Sequence, residues 1–186
     1  MAGIRSAEDI RLWEKLQNGD KHAISTLFEK YYTPLLNYGL KLIPDESLVK
    51  DSIQELFYVL WEQRENLSEV EYIRSYLYVS LRRTVFRQAE IKKTRYERDK
   101  AYADEFFSRV VNYEELNRKE TFEKEQKERL KQALESLSNK QKEAVFLKFY
   151  SGLTNTEIAQ VMEVNRQSVY NYIYRAIQSL QSYLVE

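Results

Sequence analysis

The chain contains no cysteine, a single histidine, four glycines and two prolines among its 186 residues. Without cysteine, disulfide bonds and thiolate metal sites are excluded. With His22 alone, a histidine-rich metal site and a histidine-based catalytic triad are excluded as well. So few glycines and prolines leave few turn residues for a sheet. Since 31% of the residues are charged, the composition favours helices.

Long apolar runs are also missing. No stretch approaches the roughly 18 apolar residues of a membrane span, and the start of the chain carries charged residues where a secretory signal is apolar. We therefore expect a cytoplasmic protein with no membrane insertion. The formal net charge is zero. This balance argues against a free-standing DNA-binding protein, because neutralisation of phosphates supplies much of the affinity of such proteins.

The first half of the chain has the apolar periodicity of helices. The predicted helices are Ala7–Asn18, Lys21–Leu42, Ser47–Arg64 and Glu71–Lys93. Pro34 lies inside the second of these and predicts a kink or a fresh start there. Ser68 and Glu71 have the spacing of a capping box. Residues 96–128 are rich in charge and sustain no apolar face, so they are interpreted as a linker.

The last section, residues 129–186, reads as a second helical unit. Capping boxes at Ser138 with Gln141 and at Thr154 with Glu157 predict two helix starts, and Asn165 predicts the start of a longer helix. Two helices joined by about three residues are typical of a helix-turn-helix, which places its second helix in a DNA major groove. The alternative is a helical hairpin that only packs. The predicted fold is all-α, with two helical domains, a charged linker and a C-terminal helix-turn-helix.

Both halves resemble one protein family. Residues 136–180 resemble region 4 of bacterial RNA polymerase sigma factors, through Gly152-Leu153-Thr154, Glu157-Ile158-Ala159, Ser168-Val169 and Arg175-Ala176. Residues 51–67 resemble region 2, through Asp51, Gln54, Glu55, Phe57 and Trp61. Two such regions, in this order and separated by a linker alone, resemble the extracytoplasmic-function (ECF) group of the sigma-70 family.

The resemblance implies a promoter-specificity subunit with no catalysis and no cofactor of its own. Residues 1–95 would dock on core RNA polymerase and engage the −10 element of promoter DNA. Residues 129–186 would read the −35 element and contact the polymerase flap, and residues 96–128 would link the two domains. Sigma factors of this group are often held inactive by an anti-sigma factor, so the resemblance also implies such a partner.

The resemblance also implies three sets of contact residues. The polymerase-binding set lies on the polar side of the third predicted helix: Asp51, Gln54, Glu55 and Gln63. The −10 set combines a loop with a basic helix: Asn66, Ser68, Tyr72, Arg82, Arg83 and Arg87. The −35 set lies at the start and on the outward face of the last helix: Arg166, Gln167, Ser168, Tyr170, Asn171, Tyr174 and Arg175.

Several side chains have a second interpretation. Tyr76 and Tyr78 offer rings that could stack on bases, but Tyr76 is expected in the core, as is Trp61. The family usually has Asn where this chain has Arg83, and often an Asp near Phe86, which leaves the detailed −10 readout open. A basic or acidic helix face is also commonly a solvent-exposed surface with no binding partner.

The last helix carries fewer basic residues than is usual in the family. Tyrosines stand where basic residues are common. Glu163 replaces the usual turn glycine, so we expect a turn that is either less tight or mildly strained. We therefore expect weak −35 binding by this domain alone, with the polymerase supplying effective concentration.

Other functions fit the sequence less well. A stand-alone helix-turn-helix regulator leaves the region 2 resemblance unexplained, and a helical scaffold leaves the basic residues from Arg82 onward unexplained. An enzyme is the weakest option, because no Gly-rich phosphate loop or catalytic constellation is present.

Overall fold

The structure, a computed structural model, describes residues 6–95 and 133–185. Within these two stretches every regular element is helical and no strand occurs, which confirms the all-α prediction. The chain divides into two compact units, Met1–Asp99 and Lys100–Glu186. The predicted linker, residues 96–128, lies outside the described residues. No helix in the described part of the chain has the length and apolarity needed to cross a membrane.

The first unit contains four α-helices. They are α1 (Ala7–Gln17), α2 (Lys21–Leu42), α3 (Glu46–Glu62) and α4 (Ile73–Arg95), with a short 3-10 turn, Arg64–Asn66, after α3. Helix α2 contacts the other three helices. Its buried side chains, among them Leu27, Leu35 and Tyr38, therefore form the centre of the core of this unit.

The chain turns sharply between α1 and α2 at Gly19, whose φ of +83° lies in the left-handed region that glycine tolerates. Asp20 then caps α2, because its carboxylate accepts hydrogen bonds from the amides of His22 and Ala23 at 2.8 and 3.4 Å. Asp45 caps α3 in the same way, through the amide of Leu48 at 3.0 Å.

Two local expectations for this unit differ from the structure. Helix α2 runs unbroken through Pro34, so the predicted fresh start does not occur there, and the kink stays a prediction. Its packing against three helices outweighs the hydrogen bond that proline removes. Ser68 and Glu71 form no capping box, because α4 begins later, at Ile73. The loop before α4 is instead held by α1: the Trp13 indole donates to the Ser68 carbonyl at 3.2 Å.

One buried carboxylate ties α1 to α2. Asp9 is buried, and its Oδ2 accepts a hydrogen bond from the Tyr31 hydroxyl at 2.5 Å. Its Oδ1 lies 2.8 Å from Lys30 Nζ, which pairs the buried charge. Burial raises the pKa of Tyr31, and the hydrogen bond to Asp9 raises it further. The cluster therefore joins the two helices in a defined register.

The second unit contains three described helices beyond a short helical piece at residues 133–135. They are α5 (Asn139–Val145), which continues as a π-helical turn (Phe146–Tyr150), then α6 (Asn155–Val161) and α7 (Arg166–Val185). Helix α7 contacts both α5 and α6. Both predicted capping boxes form, Ser138 with Gln141 and Thr154 with Glu157. Gly152, with φ +66°, ends the π-helical turn.

The close approach of α2 and α3 gives the first prediction. A Cβ at Gly39 would lie 2.4 Å from Val49 Cγ1, so Gly39→Ala forces the helices apart. We expect a loss of about 1–3 kcal/mol in the free energy of unfolding. Both tryptophans, Trp13 and Trp61, belong to this unit, so denaturant unfolding followed by tryptophan fluorescence reports on it in the full chain.

Val49→Ala supplies the control for that prediction. Alone it leaves a cavity and destabilises the unit, but combined with Gly39→Ala it makes room for the new methyl group. The double variant should therefore lose less stability than the sum of the two single losses. Strictly additive losses would show that the two residues do not meet in this way.

Candidate nucleic-acid interface

Helices α6 and α7 form a tight helix-turn-helix. Glu163 in the turn has φ +54°, which is the left-handed conformation that glycine adopts most readily. The amide of Val164 donates to the carbonyl of Ala159 at 3.0 Å. Asn165 caps α7, since its side-chain oxygen accepts from the amide of Ser168 at 2.7 Å. The predicted motif, its cap and the strained turn at Glu163 are all present.

One stripe of α7 is buried and the rest faces outward. Val169, Ile173 and Ala176 are buried, as the apolar spacing predicts. The predicted −35 residues lie off this stripe and are exposed, except Ser168, which is half-buried: Arg166, Gln167, Tyr170, Asn171, Tyr174 and Arg175. The structure therefore brings this whole set onto the accessible side of one helix.

The outward side chains of α7 are ordered by contacts with one another. Gln167 Nε2 donates to Asn171 Oδ1 at 3.2 Å, one turn away. The rings of Tyr170 and Tyr174 are nearly parallel, at 6°, with centroids 6.2 Å apart. Gln178 Nε2 donates to the Tyr174 hydroxyl at 2.7 Å. The helix thus offers a prearranged set of amide and aromatic groups.

The polar face of α3 has the predicted acid and amide character. Asp51 and Gln54 are exposed, and so is Gln63 at the end of the helix. The opposite side is buried through residues such as Ile53 and Leu60. Trp61 is half-buried and carries the Arg64 guanidinium 4.6 Å from its ring centroid.

Sequence reasoning missed two apolar side chains on the exposed part of α3. Tyr58 is 64% exposed and Val59 is 38% exposed. The available signal was spacing: Tyr58 follows Gln54 by four residues, which places it on the polar side of the helix.

The −10 set is spread along a loop and α4. Asn66 and Ser68 are exposed in the loop, and Tyr72 is half-buried just before α4. Arg82 is half-buried on α4, whereas Arg83 is exposed. The structure therefore leaves the loop residues accessible and places the arginines about two and a half to four turns from the start of the helix.

Tyr76 and Tyr78 of α4 both pack against aromatic side chains of other helices. Tyr76 packs edge-on against buried Trp13, with ring centroids 5.2 Å apart, as expected of a core residue. Tyr78 is 1% exposed and packs on Tyr38. The suggestion that Tyr78 stacks on bases is therefore wrong, because its ring is enclosed by the core. Phe86, which the sequence reasoning left out of the site, is exposed, with the Arg82 guanidinium 4.8 Å from its ring centroid.

Two residues assigned to different partners are bonded to each other. Arg87, a predicted −10 contact, donates to Oε1 of Glu55, a predicted polymerase contact. Gln88 Nε2 donates to Glu55 Oε2 at 2.6 Å, and Ser52 donates to Gln88 Oε1 at 2.9 Å. These hydrogen bonds, from Gln88 first and then Arg87, lower the pKa of Glu55. In this structure, therefore, the Arg87 charge is already matched.

A second ion pair also joins α3 to α4. Lys92, part of the basic run on α4, contacts the carboxylate of Asp45 at the start of α3. The hydrogen bond from Lys92 lowers the pKa of Asp45 below its usual value. Part of the basic run is thus paired within the protein, which a count of charges along the sequence does not reveal.

Comparisons with known proteins agree with this geometry. The family model for sigma-70 region 4 matches residues 127–180, which include the helix-turn-helix. RNA polymerase sigma factor SigZ of Bacillus subtilis (strain 168) is 24% identical over 161 residues, which cover 87% of this chain and 86% of SigZ.

Solved structures show the same fold. CnrH, in complex with the cytosolic domain of CnrY, matches with a TM-score of 0.62 and 18% identity, over 95% of this chain and 97% of CnrH. The sigma factor RpoE of Bartonella quintana, in complex with the anti-sigma factor NepR, matches with a TM-score of 0.59 and 17% identity. That match covers 86% of this chain and 95% of RpoE.

Residues 127–180 therefore match a sigma-70 region 4 domain, and the chain is similar to a sigma factor over most of both chains.

The turn at Glu163 yields a stability prediction. Glu163→Gly should stabilise the second unit by about 1 kcal/mol, because glycine adopts the left-handed conformation without the strain of a Cβ. Glu163→Ala is the matched control, since it removes the same side chain but keeps the strain. Native-state hydrogen exchange of the α6 and α7 amides measures both. Equal protection in the two variants would contradict a strained turn.

Proposed function

We propose that this protein is a sigma factor of the extracytoplasmic-function type in the sigma-70 family, which binds core RNA polymerase and directs transcription initiation at a specific set of promoters. In this proposal residues 1–95 dock on the polymerase and engage the −10 element, while residues 129–186 read the −35 element. The observation that carries the proposal is the exposed polar face of α7 in a helix-turn-helix, on a chain that also presents the acid and amide face of α3. The protein acts by binding, without catalysis of its own, in the cytoplasm where the polymerase works.

The exposed residues of α7 have the chemistry of base readers. An arginine such as Arg166 pairs with both acceptors of a guanine, and amides such as Gln167 and Asn171 pair with adenine. The Ser168 hydroxyl, at the start of the helix, is of the kind that contacts phosphates. Arg166 and Gln167 open the helix, as expected for side chains that enter a major groove first.

The outward residues of α3 suit a basic partner surface on the polymerase. Asp51, Gln54 and Gln63 are exposed and polar. Exposed Tyr58 adds an apolar contact beside them, and tyrosine is enriched at protein interfaces. Glu55 joins this surface once its bond to Arg87 opens.

The loop before α4 and α4 itself suit the −10 element. Asn66 and Ser68 offer hydrogen bonds to a base that leaves the duplex, and Tyr72 stands beside them. Arg82 and Arg83 supply positive charge for single-strand phosphates, with Arg87 added when it separates from Glu55.

An anti-sigma factor is part of the proposal. RpoE forms a complex with the anti-sigma factor NepR, and CnrH forms a complex with the cytosolic domain of CnrY. A sigma factor of the same fold, with exposed apolar side chains on α3 and α7, has surfaces that a protein inhibitor can cover.

Arg166→Ala is expected to lower transcription from a cognate promoter about tenfold, the effect of losing one bidentate base contact. Binding of the variant to core polymerase should be unchanged, because Arg166 lies on the DNA-reading side of α7. Arg11→Ala, which removes an exposed arginine from α1, is the matched control and should transcribe normally. In-vitro transcription and a pull-down of core polymerase measure the two effects. Loss of core binding in Arg166→Ala would count against this assignment.

The salt dependence of DNA binding tests how much α7 relies on charge. This helix carries two basic residues, Arg166 and Arg175. Without polymerase, the full-length protein should bind duplex −35 DNA with a shallow slope of log affinity against log salt. Each neutralised phosphate contributes about 0.9 to that slope. A slope equivalent to about six or more phosphates would reject a reader that depends on the polymerase.

A further inference from the structure

The outward face of α7 presents an aromatic pair that the proposed function does not explain in detail. Tyr170 and Tyr174 are 56% and 50% exposed. Their rings are nearly parallel and lie 6.2 Å apart between centroids. Two large rings one turn apart on a helix that enters a major groove must meet base edges, sugars or phosphates there.

The chemistry of the major groove indicates whether the two rings contact base edges, sugars or phosphates. The thymine C5-methyl group is the apolar feature that a base pair presents in that groove. A tyrosine ring offers an apolar face of matching character. A face built for phosphates would instead concentrate cations, whereas α7 holds two arginines in twenty residues.

The side chains beside Tyr170 and Tyr174 also favour recognition of A·T pairs. Gln178 donates to the Tyr174 hydroxyl, which restricts the swing of that ring along the helix. Asn171, between the two tyrosines in sequence, carries the amide that pairs with adenine, the partner of thymine. Its Oδ1 accepts from Gln167, so the amide is already oriented.

We propose that Tyr170 and Tyr174 read the methyl groups of thymines in the −35 element. This inference rests on the proposed function, in which α7 lies in the major groove of that element. The 6.2 Å between ring centroids is close to two base-pair steps of about 3.4 Å each. The rings therefore meet methyl groups within one short stretch of A·T pairs.

The test removes single methyl groups from the DNA. Full-length protein with core polymerase first selects a promoter from a random duplex library. Each thymine of the selected −35 element is then replaced by deoxyuridine, which lacks the methyl group and keeps the pairing. At one or two positions we expect holoenzyme affinity to fall about fourfold, the effect of losing one buried methyl contact.

Variants identify which side chains sense the methyl group. Tyr170→Ala and Tyr174→Ala should bind thymine DNA more weakly and should no longer respond to deoxyuridine at the position each ring contacts. Tyr170→Phe and Tyr174→Phe should keep the wild-type response, because the ring is retained. If the Phe variants bind as weakly as the Ala variants, the hydroxyls make the contact and the inference is overturned.

The proposed function and this inference fail in distinguishable ways. If the holoenzyme selects no sequence around −35, the proposed function itself is wrong. If it selects and protects a −35 element but deoxyuridine changes affinity at none of its thymines, the methyl-reading inference alone is wrong.

Discussion

Burial of one apolar stripe on α7 is the constraint on which the second unit depends. Val169, Ile173 and Ala176 are buried, because α7 packs against α5 and α6. Once that stripe is fixed, the helix has no rotational freedom left. The residues between the buried positions are then forced outward, so a packing requirement decides which side chains are exposed to a binding partner.

Much of the fold could be predicted from short sequence patterns. The predicted helices of the first unit differ from the observed ones by at most two residues at either end. The boxes at Ser138 and Thr154 and the cap at Asn165 formed as expected, because each involves residues three apart whose geometry a nascent helix already imposes. The exposure of most of the predicted −35 residues agrees with the apolar spacing of α7.

Four outcomes that sequence reasoning did not predict involve contacts between distant residues. Pro34 stays within α2 because three other helices pack on that helix, a fact that no window around Pro34 contains. The loop at Ser68 is held by Trp13, 55 residues earlier. Tyr78 is enclosed by the core, and Arg87 is matched by Glu55 from another helix. Charge and aromaticity along the sequence indicate what a side chain can do, but packing decides which partner it meets.

The bond between Glu55 and Arg87 has a thermodynamic consequence. A partner that takes the Glu55 carboxylate leaves Arg87 without its counter-charge, and a partner that takes Arg87 does the same to Glu55. In the proposed division of roles these partners are polymerase and promoter, so their binding free energies are linked, and linkage requires the effect to be equal in both directions. Because Arg87 is about half exposed, the coupling is bounded by the value of a surface ion pair, about 1 kcal/mol or less.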